Sequence, residues 1–134
     1  MMLRQIEFSI ADFELHESYD PDNVEGLLTL CDRIRKEVAV IMPPSYHRFM
    51  HSFSHIFAGG YAAGYFSYKW AEVLSADAFS LFEEEGILNQ NSGRRFRQTI
   101  LANGGSVDPM KLFIDFRGRA PKIDALLRHS GIAA

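Results

Sequence analysis

Tyr61, Tyr65 and Tyr68 stand at i, i+4 and i+7, and Glu72 extends the row, so on a helix the three phenols share one face. A phenol stays protonated at neutral pH and can donate a hydrogen bond. An array of such donors can hold a carbonyl oxygen, or the oxyanion that develops when a peptide carbonyl is attacked. The same spacing also fits an aromatic stripe packed into a helical core, each hydroxyl finding a partner. Gly59, Gly60 and Gly64 add weight to the donor array, because glycine lets the backbone bend or approach a ligand closely. A straight helix would separate Tyr61 from Tyr68 by ~10 Å along its axis, too far to serve one oxygen. Either the glycine-rich start is a loop, or the two phenols contact different parts of a ligand.

A second set is His47, His51 and His55, spaced four apart. On one helix the three imidazoles would line up and could hold zinc or another divalent ion. Pro43-Pro44 upstream and Gly59-Gly60 downstream leave room for barely two turns, and no Glu follows His47 or His51 as the H-E-x-x-H peptidase motif requires. Loop histidines are the plainer reading. Cys31 falls on the apolar stripe of a helix and reads as a buried core thiol. Glu83-Glu84-Glu85 reads as a solvated helix end. There is no G-x-x-x-x-G-K phosphate loop and no G-x-S-x-G elbow.

The elements that must position these residues are helical. Leu3, Ile6, Ile10 and Phe13 follow steps of three and four, predicting an opening helix with that stripe. Asp20-Pro21 predicts the start of a second helix, with Val24, Leu27, Leu28, Cys31, Ile34 and Val38 on its apolar face and Pro43-Pro44 forcing its end. From Tyr61 to Gly86 no proline interrupts a run rich in Ala, Glu and Leu, which predicts the longest helix, ended by Gly86. Three shorter helices follow, capped by Ser92, opened by Asp108-Pro109 before Gly118, and opened by Pro121 before Gly131. No run alternates with period two. The fold class is therefore all-α, about six helices with one long central one.

At 134 residues, 47% apolar and 23% charged, the chain has the composition of one globular domain. A net charge of −3 argues against a nucleic-acid partner. Charge is uneven, −8 over residues 1–87 and +5 over 88–134, which fits a basic C-terminal face packing on an acidic body. The lone cysteine forms no internal disulfide, and no apolar run approaches ~18 residues. A cytoplasmic, membrane-free setting is the default expectation.

The segments "FSHIFAGGYAAGYFSYKWAEVLSADAFSLFEEEGI", "RQIEFSIADFELH" and "GGSVDPMKLFIDFRGRAPKIDALLRHSGI" cover most of the chain. Together and in this order they resemble the C-terminal part of the thimet oligopeptidase family of zinc metallopeptidases. The resemblance implies a helical catalytic domain around a deep channel that admits short peptides. It also implies that residues 1–134 are one helical C-terminal segment, with the zinc motif and the rest of the enzyme N-terminal to residue 1. By the same resemblance Tyr68 and His55 donate hydrogen bonds around the scissile carbonyl, Tyr61 and Tyr65 with Gly59 and Gly60 bind substrate, and none of these residues is a metal ligand. Zinc is then the cofactor of the full-length parent and not of this segment, which alone would be inactive and would self-associate through faces the parent covers. The alternative is a non-catalytic helical binding or assembly module derived from that segment.

Overall fold

A computed structural model describes residues 1–132, except for the side chains of Val24 and Glu25, so the expected place of Val24 on the apolar stripe lies outside the described residues. All regular structure among the described residues is helical, with seven α-helices and no strand. The chain divides into two compact units, residues 1–69 and 70–134.

In the first unit, α1 (Met2–Glu17) packs on α2 (Val24–Val38). The buried face of α1 is Phe8, Ala11 and Asp12 rather than the expected stripe, and Leu3 and Phe13 remain over 40% exposed. The reason is that α1 turns toward Cys31 and Ile34 of α2 and toward Met50, Phe53, Ile56 and Tyr65, which together close one core. Burial pushes the Cys31 thiol above its ordinary pKa despite the nearby Arg35 guanidinium, as suits an inert core thiol. Arg35, itself buried, donates to Glu7 at 3.1 Å and ties the two helices together.

The start of α2 differs from expectation. Asp20 accepts from the Asp22 amide at 3.0 Å and so spends its carboxylate on its own turn. Pro21 lies in that turn, and Asn23 is the true cap, accepting from the Gly26 amide. The helix stops at Val38 because Ala39 is already extended, ahead of the prolines. A 3-10 turn (Phe49–Ser52) and the short α3 (Ser54–Phe57) then carry Met50, Phe53 and Ile56 into the core.

The longest helix, α4 (Ser67–Glu85), begins six residues later than Tyr61, and Gly86 ends it at φ 105°. In the second unit it meets α5 (Gln90–Phe96), continued by a π turn over Arg97–Leu101, and α6 (Pro109–Arg117) and α7 (Asp124–His129). Ala78, Leu81, Phe113 and Phe116 form the core here. Asp108 caps α6 with Pro109 at its first position and Gly118 left-handed after its end, as expected. Ser92 is not a cap. Asn89 accepts from the amides of Asn91 and Ser92, while the Ser92 hydroxyl donates to Glu85 at 2.5 Å.

Nor does Pro121 open α7, because the Lys122 amide is drawn to Asp77 at 2.7 Å and the helix starts at Asp124. Asp77, 1% exposed, also receives both terminal nitrogens of Arg119 at 2.7 and 2.6 Å. The glutamate run is not merely solvated: Glu83 pairs with Arg128 and His129, and Glu84 with Arg117. These pairs tie the acidic end of α4 to basic residues of the C-terminal segment within this unit.

Candidate functional site

The tyrosine row is not helical at its start. Residues 58–66 form a succession of turns, with Gly60 at φ 78° and Ala63 at φ 52°. A left-handed Ala63 is unfavourable for a residue with a Cβ and needs something to impose it. Asp12 of α1 meets the turn at this point. Its two carboxylate oxygens accept the amides of Ala63 and Tyr65, each at 2.9 Å, across more than fifty residues of chain. The Gly59 position is closed to any side chain, since a Cβ there would stand 2.8 Å from the His55 carbonyl oxygen. The loop is thus a tight turn built back over α3.

This turn resolves the length problem of a straight helix. Tyr61 leaves the α4 axis and folds back, so its ring stacks on that of Tyr68 with centroids 5.1 Å apart. Tyr68 is the second residue of α4 and packs edge-on to Tyr65 at 5.2 Å. His55, from α3, lies 6.1 Å from Tyr61, 6.1 Å from Tyr65 and 6.3 Å from Tyr68. Four rings expected from the sequence therefore meet in one cluster.

Within it the residues divide. Tyr65 belongs to the core, 9% exposed, and its hydroxyl donates inward to Gln5 at 2.9 Å. Burial holds its phenol above the ordinary pKa. Tyr61 and Tyr68 are 36% and 38% exposed, and His55 is exposed beside them. A hydrogen bond shared with the Tyr61 phenol, then burial, holds the Tyr68 pKa above its usual value. Tyr68 consequently stays protonated, and a donor, across the neutral range. An exposed imidazole from α3 and two phenols, from the turn and the start of α4, can together address a polar group such as a peptide carbonyl.

The histidine trio comes apart. His47 lies in a turn, where Arg35 contacts its Nδ1 at 3.2 Å and its ring stacks on Phe49. His51 is on the 3-10 turn and His55 on α3, so no single helix face carries all three. Among the described residues no group of three His, Cys, Asp or Glu side chains is placed to hold a metal ion. No helix among the described residues is long and apolar enough to cross a membrane.

Two contributors went unread in the sequence, Asp12 and Gln5. Both lie on α1 far from the loop in the chain. The available signal was helical spacing: Gln5, Phe8 and Asp12 follow steps of three and four, a row parallel to the expected stripe.

A description of Peptidase family M3 matches residues 1–132. Over 131 residues the chain is 57% identical to oligopeptidase A of Escherichia coli, covering 98% of this chain and 19% of that protein. It is 52% identical over 138 residues to the probable cytosolic oligopeptidase A of Arabidopsis thaliana, covering all of this chain and 20% of the other. Saccharolysin of Saccharomyces cerevisiae is 33% identical over 138 residues. The chain spans about a fifth of the length of these curated relatives.

Proposed function

The chain belongs to peptidase family M3, and on that footing we propose that residues 1–134 form the substrate-binding, C-terminal segment of a zinc-dependent oligopeptidase. Such an enzyme hydrolyses internal bonds of short peptides in the cytoplasm. The observation that carries the proposal is the meeting of exposed His55 from α3, Tyr61 from the turn and Tyr68 from α4, with ring centroids within 6.3 Å of one another.

In this reading Tyr68 and His55 donate to the scissile carbonyl and to the oxyanion that forms from it. Tyr61 holds the peptide backbone beside them. Tyr65 contributes its ring, which backs Tyr68, while its hydroxyl stays with Gln5. Gly59 and Gly60 keep the backbone low enough for a peptide to lie across it. Zinc, in this reading, is held outside this segment, whose described residues bring no three His, Cys, Asp or Glu side chains together. Its ligands are assigned to another part of a longer polypeptide, and the segment alone is expected to be inactive. The second reading, a non-catalytic helical binding or assembly module, draws on exposed apolar residues such as Leu3, Val40 and Ile41.

Tyr61→Phe tests the substrate-binding part of the first reading. In the peptidase that carries this segment, losing one neutral hydrogen bond to the peptide backbone raises KM ~3–10-fold, with a smaller effect on kcat. Steady-state kinetics on a quenched short peptide read both constants. An unchanged KM would contradict the role given to Tyr61.

A further inference from the structure

We propose, resting on the reading of Tyr61 and Tyr68 as substrate donors, that Asp12 is a positioning residue for both: its buried carboxylate fixes the turn between them by accepting the Ala63 and Tyr65 amides. Asp12 is 1% exposed, and a carboxylate so buried persists only when its oxygens are satisfied. The loop supplies two of its partners, at 2.9 Å each, and His16 Nδ1 stands at 3.0 Å. Charge-assisted bonds of this kind are about twice as strong as neutral ones.

The two anchored amides flank Gly64, and from them the backbone leads directly to both phenols. Gly64 donates its own amide to the Tyr61 carbonyl at 2.8 Å, and Tyr68 donates its amide to the Tyr65 carbonyl at 3.3 Å. The Tyr61 amide in turn donates to the His55 carbonyl at 3.2 Å, so all three exposed rings hang from the same short network. The left-handed Ala63 fits this account. An alanine adopts φ 52° at a cost, and the Asp12 bond to its amide is what holds it there.

Asp12→Asn is the probe. The amide has one oxygen for two backbone donors, and its NH2 group faces the other N–H, so the turn loosens while the helix keeps its shape. In the M3 peptidase carrying this segment, kcat on a short peptide is expected to fall ~10–100-fold, as misplacement of a catalytic group by about an ångström does. The decisive reading is the double-mutant cycle. In a Tyr68→Phe background the same Asp12→Asn change should cost clearly less kcat than it does alone, because the Tyr68 hydroxyl, one of the groups it positions, is gone. Ala63→Val approaches the turn from the loop side with Asp12 intact, placing a β-branched residue at a positive φ, and should give the same non-additive loss. It serves equally if Asp12→Asn does not fold. A full additional loss in the Tyr68→Phe background, or full kcat in either single variant, would overturn the positioning role. If Tyr68→Phe alone keeps normal kcat, the donor reading itself fails, which is a different outcome.

Discussion

Tyr68→Phe, introduced in the oligopeptidase proposed to carry this segment, should lower kcat on a short peptide ~10²–10³-fold, equivalent to ~3–4 kcal/mol of transition-state stabilisation. The substitution removes one hydroxyl and keeps the ring, which stacks on Tyr61 and packs edge-on to Tyr65. Tyr68 is 38% exposed, so the core does not depend on its hydroxyl and the melting temperature should move by only about 2 °C. A core-packing role predicts the reverse, lowered stability with near-normal kcat. The raised pKa, caused first by the hydrogen bond with Tyr61, gives a further sign: any loss of activity from ionising this phenol must appear above ~pH 10, on the alkaline side only. Kinetics and thermal melts on the same preparation decide between the roles. A kcat within about threefold of wild type would remove Tyr68 from the reaction.

Asp77→Ala carries the largest expected effect on folding. Asp77 is buried at 1% and gathers Arg119, the Lys122 amide and the Ser80 hydroxyl around one carboxylate. Removing it strands the Lys122 amide and frees Arg119, whose partial exposure softens the cost, leaving a loss of about 3 kcal/mol. For a unit of this size that lowers the melting temperature by more than ~10 °C. Burial alone would raise the Asp77 pKa, but the Arg119 hydrogen bonds and the Lys122 amide outweigh it and hold the carboxyl below its ordinary value.

A depressed folded pKa means that the contribution is fully present above the ordinary carboxylate range, near pH 4, and is lost as pH falls through the folded value. Acid titration of stability should therefore be flatter in Asp77→Asn than in the wild type below ~pH 4. Calorimetry across that range checks it. Equal acid slopes in the two proteins would show that the pair contributes nothing.

What could be read from the chain was what neighbouring residues decide among themselves. The α6 helix was legible because Asp108, Pro109 and Gly118 act on their own backbone, and Gly86 ended α4 for the same reason. Asp20 and Ser92 misled because each spends its oxygen elsewhere, Asp20 on its own turn and Ser92 on Glu85. The tyrosines and His55 were legible as residue types at suggestive spacing. Their meeting was not, because it depends on Asp12 reaching across to a loop that the composition reads as helix. Ala63 illustrates the limit: nothing in "GGYAAGY" marks which alanine takes the left-handed turn. A buried carboxylate decided it from another element.

The most direct measurement is made on the native protein. Captured from its source with an antibody to residues 104–117, it should have the mass of a polypeptide about five times this length, as the 19% coverage of its relatives implies. Elemental analysis should find stoichiometric zinc, and the captured protein should cleave a quenched short peptide internally. A native chain of only 134 residues, free of zinc and without hydrolysis, would contradict the oligopeptidase account and leave the non-catalytic module in its place.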